Sequence, residues 1–244
     1  MTSPDAGGSA GRLTPSAAYL VVRGRLSADL AGIDTDQAQL PVPCCPDWTV
    51  RETLAHLVGV GADILTGQTG QAGSPAWTAR QVADRAGVPV TDLLAEWSTT
   101  APAVAGLLAA APKIMGQVTM DGVTHEYDLR GALGLPLPAG QASGDPVLAV
   151  ALDWLLFRFG RATDKAGYPP FRLITAGRCW AIGDGDPLAT ARWSPLDTLR
   201  ALTGRRSLDQ VRALDWDGDP EPWLPALTWA VFEPAATSRE PAAP

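Results

Sequence analysis

The chain has 244 residues, of which 46% are hydrophobic and 18% charged, a composition that fits one large or two modest globular domains and excludes a disordered chain. Acidic residues number 26 against 19 basic ones, so the formal net charge is -7, and the scattered Lys and Arg speak against a nucleic-acid partner. No apolar run reaches the roughly 18 residues that cross a bilayer, so no membrane partner is expected.

Met1 to Arg12 is polar and rich in Gly, Ser and Ala. It lacks the basic start and apolar stretch of a secretory signal and is expected to be a disordered leader of a cytoplasmic protein. Cys44 and Cys45 are adjacent and Cys179 is distant, which is a poor disulfide framework and fits the same compartment. A first helix is predicted over Ser16–Ile33, where Ala18, Val21, Val22, Leu26 and Leu30 recur at three- and four-residue steps. Leu40 to Trp48 must be extended, because Pro41, Pro43 and Pro46 cannot sit inside a helix. Thr49-Val50-Arg51-Glu52 is a capping box that opens a second helix, carrying Val50, Leu54, Leu57 and Val58 to about Leu65. A glycine-rich loop covers Gly67 to Pro75. Helical patterns resume over Ala76–Ala86, Thr91–Ala110 and Gln117–Leu133, the last closed by Gly134 and Pro136, and again over Asp145–Asp164.

After Gly167 the pattern changes. Phe171–Thr175, Cys179–Ile182 and Leu188–Trp193 read as strands, with Gly183 to Asp186 as a turn. Ser194–Leu202 and Ser207–Leu214 read as short helices. The fold class expected is mainly α: a helical bundle over residues 13–166, then a small α+β domain over 167–232 and a flexible tail over 233–244.

The two histidines of the chain, His56 and His125, both fall in predicted helices. His125 follows Asp121 by four residues, so on a helix the carboxylate and the imidazole share a face and can meet one metal ion. His56 could complete the set from across a bundle, giving two imidazoles and one carboxylate with a coordination position left open. Spacing alone leaves the carboxylate undecided. Asp128 is also on the His125 face, as a ligand or as an outer partner that orients an imidazole, whereas Glu126 is turned about 100° away.

These residues also carry a family resemblance. Val42-Pro43-Cys44-Cys45-Pro46-Asp47-Trp48-Thr49-Val50-Arg51-Glu52-Thr53-Leu54-Ala55-His56-Leu57 resembles the CPxWTVRDLxAHL signature of the mycothiol-dependent maleylpyruvate isomerase family, within the wider DinB-like metal-binding helical bundles. Asp121 to Gly134 resembles that family's ExxxHxxDLxxALG helix, and Leu202 to Ser207 with Leu214 to Asp219 resembles its LTGRxS…LxWxGD ending. The resemblance implies a DinB-like four-helix bundle followed by a small α+β domain. It also implies metal ligation by His56, Asp121 and His125, with Asp128 as outer support. One departure is that the family usually carries glutamate where this chain has Asp121.

The function implied is a metal-dependent S-transferase or isomerase. A divalent ion, Zn²⁺ or an alternative such as Ni²⁺, would hold the sulfur of mycothiol or a similar thiol, which attacks a small electrophile in a cleft between the domains. Arg205, in the Thr203-Gly204-Arg205 turn, resembles a substrate-anchoring arginine of related enzymes; a surface or helix-capping role is the plainer alternative, and Arg206 is a neighbouring candidate. Cys44 and Cys45 precede a helix N-terminus, which favours a thiolate, but burial explains Cys45 more simply. Trp48 reads as a staple at the helix entrance, and the acidic loops near Asp184 and Asp215 lack a calcium-loop pattern. Two other readings share the scaffold: a non-catalytic thiol or metal carrier, whose C-terminal domain would be somewhat like a sterol-carrier fold, and a secondary-metabolism hydrolase or cyclisation catalyst. Either a monomer or a homodimer is compatible with the sequence.

Overall fold

The computed structural model of the protein describes residues 13–138, 145–183 and 185–238. The leader expected over residues 1–12 lies outside them, as do Asp184 of the expected turn and the last six residues of the expected tail. The fold is mainly α with a small sheet-containing C-terminal region. Residues 15–137 form one compact unit, and residues from 138 onward form another.

The first unit is built on four long helices: α1 (Pro15–Leu30), α3 (Val50–Thr66), α5 (Val90–Ala110) and α6 (Pro112–Ala132). Helices α1 and α3 both pack on α5 and on α6. Short elements fill the connections: α2 (Thr35–Ala38), the two-stranded ribbon β1 (Pro41–Val42) and β2 (Cys45–Thr49), and α4 (Pro75–Ala83), which packs on α3. The core between the helices is Val22, Leu26, Leu54, Val58, Leu93, Trp97, Leu108, Val123 and Leu129. Trp97 is fully enclosed and satisfies its indole N–H by donating to the Tyr19 hydroxyl at 2.9 Å.

Local chemistry sets the helix ends. In the Thr49–Glu52 capping box the threonine hydroxyl accepts from the Glu52 amide at 3.3 Å, and the glutamate accepts from the Thr49 amide at 2.8 Å. Gly67 closes α3 in the left-handed region, with φ +73°. Helix α6 begins at Pro112, five residues ahead of the expected Gln117, because proline at the first helical position needs no N–H partner. Helix α5 is, by length and composition, apolar enough to cross a membrane, contrary to the expectation from apolar runs. It buries Leu93, Trp97, Ala101, Val104 and Leu108 within the bundle.

The second unit opens with α7 (Pro146–Ala166), capped by Asp145 and closed by Gly167. Its sheet has the order β4-β3-β5-β6, formed by β3 (Phe171–Thr175), β4 (Arg178–Ile182), β5 (Thr190–Arg192) and β6 (Trp216–Asp217). The β3–β5 pair is parallel, while the outer pairs are antiparallel. Helix α8 (Pro195–Leu202) packs on α7, and α9 (Leu208–Arg212) lies against a 3₁₀ turn at Glu221–Leu227. Phe159, Phe171, Trp216, Trp223 and Trp229 are linked by ring contacts of 5.5–6.4 Å.

The two compact units divide near residue 137, and α7 packs on α8 and β4. Beyond Glu233, Ala235 is buried and its amide donates to the Arg206 carbonyl at 3.1 Å.

Candidate metal centre

His56 sits two turns into α3 on the face that also carries Thr53, Val60 and Asp63, all buried. Asp121 and His125 stand one turn apart on α6, and Asp128 follows at i+3 from His125. Packing α3 on α6 brings the three expected ligands together. One Asp121 oxygen lies 3.4 Å from His56 Nε2, and the other lies 3.7 Å from His125 Nε2. Donor atoms of all three lie within 4.8 Å of one another. Four ligands at zinc's bond lengths of about 2.0–2.2 Å stand roughly 3.3 Å apart, so the spacing needs little adjustment. Both imidazoles are nearly enclosed, whereas the Asp121 side chain is 29% exposed and forms the open side.

Each ring nitrogen that faces away from Asp121 has a polar group beside it. His125 Nδ1 lies 3.0 Å from the buried carboxylate of Asp128, without hydrogen-bond geometry. His56 Nδ1 is hydrogen-bonded to Gln81 Oε1, on α4, at 2.8 Å. A proton on each Nδ1 would leave each Nε2 lone pair pointing at Asp121. The residues therefore fit a divalent cation: two imidazole nitrogens and one carboxylate, a polar group behind each imidazole, and an open edge.

Around this set lie residues for which the sequence gives no signal or a different one. Trp48, expected as a staple, places its ring 4.9 Å from that of His56 and 6.1 Å from that of His125. Trp77 meets His56 edge-on at 6.4 Å. Cys45 Sγ is 3.7 Å from Asp128, so this thiol backs the outer partner of His125, while Cys44 is reduced and half-buried. Gln81 has no local signal, being a polar residue on a short helix 25 positions from its partner. Asp63 does have one, because it lies seven residues after His56 on the same helix face.

Glu126 is fully buried, 3.5 Å from Arg25 and 3.6 Å from Arg130, as its angular offset from His125 requires. Every member of the donor cluster belongs to the helical unit. Arg205 lies in the C-terminal unit, in the loop after α8, where its guanidinium donates to the Thr203 carbonyl at 2.7 Å. Arg206 is buried and pairs with Asp197 at 3.2 Å.

A family model described as the mycothiol maleylpyruvate isomerase N-terminal domain matches residues 20–130. The matched span includes all the ligands and outer partners named above and stops short of the C-terminal unit. No curated protein and no solved structure gives a significant match. The helical unit that carries the donor cluster belongs to the mycothiol maleylpyruvate isomerase N-terminal domain family.

Proposed function

We propose that His56, Asp121 and His125 hold a divalent cation, Zn²⁺ first and Ni²⁺ as an alternative. The chain then acts as an S-transferase or isomerase that uses mycothiol or a similar small thiol against a small electrophile. The supporting observation is the convergence of acceptors. Two imidazole nitrogens and a carboxylate face one another within 4.8 Å, with His56 Nδ1 hydrogen-bonded to Gln81 and Asp128 standing 3.0 Å from His125 Nδ1. Such a cluster repels itself unless a cation or a proton sits at its centre.

A cation bound there would lower the pKa of a thiol and hold the sulfur as a nucleophile at neutral pH. The protein's own groups do the rest. Gln81 Oε1 is hydrogen-bonded to His56 Nδ1, and the Asp128 carboxylate stands 3.0 Å from His125 Nδ1, so each would steady an imidazole behind the cation. Trp48 covers the His56 ring and keeps water from that side, so entry is from the exposed edge of Asp121. Aspartate in place of the family's usual glutamate is one methylene shorter, yet its carboxylate oxygen still comes within 3.4 Å of His56 Nε2.

The test is thiol-dependent turnover of an electrophilic substrate. Chelator should abolish it, Zn²⁺ should restore it, and His56→Ala should not be restored. Undiminished turnover in His56→Ala would overturn the proposal.

A further inference from the structure

Behind His56, on the side away from the ligand cluster, runs a chain of buried polar groups that a catalytic account does not require. Gln81 is fully enclosed and Asp63 is 5% exposed. Gln81 Nε2 donates to Asp63 Oδ2 at 2.7 Å, and Arg80 Nη2 donates to the same oxygen at 2.8 Å. The opposite end of the Gln81 amide meets His56 Nδ1 at 2.8 Å. The surroundings offer no substitute: the nearby Trp77 indole donates to the Gln68 carbonyl at 2.9 Å.

The donor and acceptor logic of this chain has one solution. A carboxylate only accepts, so Asp63 requires the amide nitrogen of Gln81. The amide oxygen is thereby turned to His56, and an oxygen acceptor requires the proton on Nδ1. The Nε2 lone pair is then left for the cation. We infer that Asp63, through Gln81, sets the tautomer of His56 and so governs metal affinity, making both of them positioning residues outside the ligand set. This rests on the metal-centre reading above. Gly59, on the adjoining turn of α3, makes the arrangement possible: a Cβ there would lie 2.6 Å from Gln81 Cβ and 2.8 Å from Cγ.

The two imidazoles are thus held by different means. His125 is backed by a carboxylate on its own helix, one turn away. His56 is backed by a neutral amide whose orientation is dictated from a third residue. A polarity reversal distinguishes positioning from packing. In the double variant Gln81→Glu/Asp63→Asn, the new carboxylate accepts from His56 Nδ1 and from the introduced asparagine amide, while Arg80, which shares Asp63 Oδ2 with Gln81, has to turn to the asparagine oxygen at the other position. The tautomer is preserved although both chemistries are exchanged.

The experiment measures Zn²⁺ affinity of the purified full chain by competition with a chromogenic chelator, with circular dichroism as a check on folding. Gln81→Leu should weaken Zn²⁺ binding by about 10–100-fold, and Gln81→Glu/Asp63→Asn should bring it back to within a few-fold of the unaltered protein. In the metal-free protein at alkaline pH, the ¹⁵N shifts of His56 should report a protonated Nδ1, and in Gln81→Leu the Nε2-protonated form should gain population. Equal Zn²⁺ affinity in folded Gln81→Leu, or an Nε2-protonated His56 in the unaltered protein, overturns the inference. Failure of the unaltered protein to bind Zn²⁺ or Ni²⁺ would instead overturn the metal-centre reading, leaving the tautomer measurement to judge the relay by itself.

Discussion

The helical unit and the C-terminal unit both bury polar side chains, Arg200 and Arg206 among those of the second, but the helical unit gathers acids and imidazoles around one spot. The first encloses His56, Asp63, Gln81, His125, Glu126 and Asp128, and all but Glu126 touch the ligand cluster directly or through one neighbour. The second fills its centre with Phe159, Phe171, Trp193, Trp223 and leucines of α7 and α8, and its buried Arg206 with Asp197 ties α8 to the loop that follows. Burying a polar group costs free energy unless it is paired, and a unit that buries so many around one spot has accepted that cost for something other than stability. Aromatic burial needs no such explanation, because each large ring removes roughly 150–250 Å² from water.

This contrast can be broken experimentally. The largest effect is expected from Phe159→Ala, which removes a 1%-exposed ring in contact with Phe171 and Trp229. It should destabilise the chain by about 3–5 kcal/mol in denaturant unfolding. Zn²⁺ affinity measured in buffer should stay within about twofold; a parallel loss of affinity would show that the aromatic core also supports the ligand cluster.

A smaller effect sharpens the comparison from the other side. Gly59→Ala adds one methyl group against Gln81 Cβ and should cost about 1–3 kcal/mol through overpacking. Unlike Phe159→Ala, it should also weaken Zn²⁺ binding, since Gln81 has to move. A stability loss with intact affinity would mean that α4 yields as a body and keeps the amide in place.

An effect of similar size concerns the buried polar pair of Tyr19 and Trp97 in the helical unit. Tyr19→Phe leaves the Trp97 N–H without its acceptor and should cost about 1–3 kcal/mol. Burial raises the Tyr19 pKa above the ordinary phenol value of 10.0, outweighing the hydrogen bond from Trp97. The unfolded phenol therefore ionises first as pH rises. Stability from this group is complete below pH 10.0 and is lost as the pH climbs toward the raised folded value. Tyr19→Phe should flatten that alkaline fall in a pH series of unfolding curves, and an unchanged slope would count against a buried phenol.

What the sequence makes legible is local or periodic. The Thr49–Glu52 box, the spacing of Asp121, His125 and Asp128, and the apolar stripe of α3 each depend on neighbours within two turns, and each is found in the structure; in α1 the expected stripe holds except that Val21 is exposed and Tyr19 is buried instead. The convergence of His56 with α6 is legible only through the scarcity of histidine and the family resemblance. Asp63, Gln81 and Arg80 do not stand out as a group in the sequence, because their connection exists only once α4 has folded back on α3. The unit boundary escapes the sequence for a related reason. Helix α7 has the same amphipathic period as a bundle helix, and periodicity names a buried face without naming what covers it.

Gly204, part of the turn that the sequence offers for holding an anion, has a plainer constraint in its φ of +76° and in the Glu233 carbonyl that occupies the space a Cβ would need. The chain comes back over its own glycine, and Ala235 then bridges to Ser207. A protein cut after Phe232 would lose this clasp and with it the steric part of the constraint, leaving the positive φ. Part of the requirement for glycine at 204 is thus written some thirty residues downstream of it.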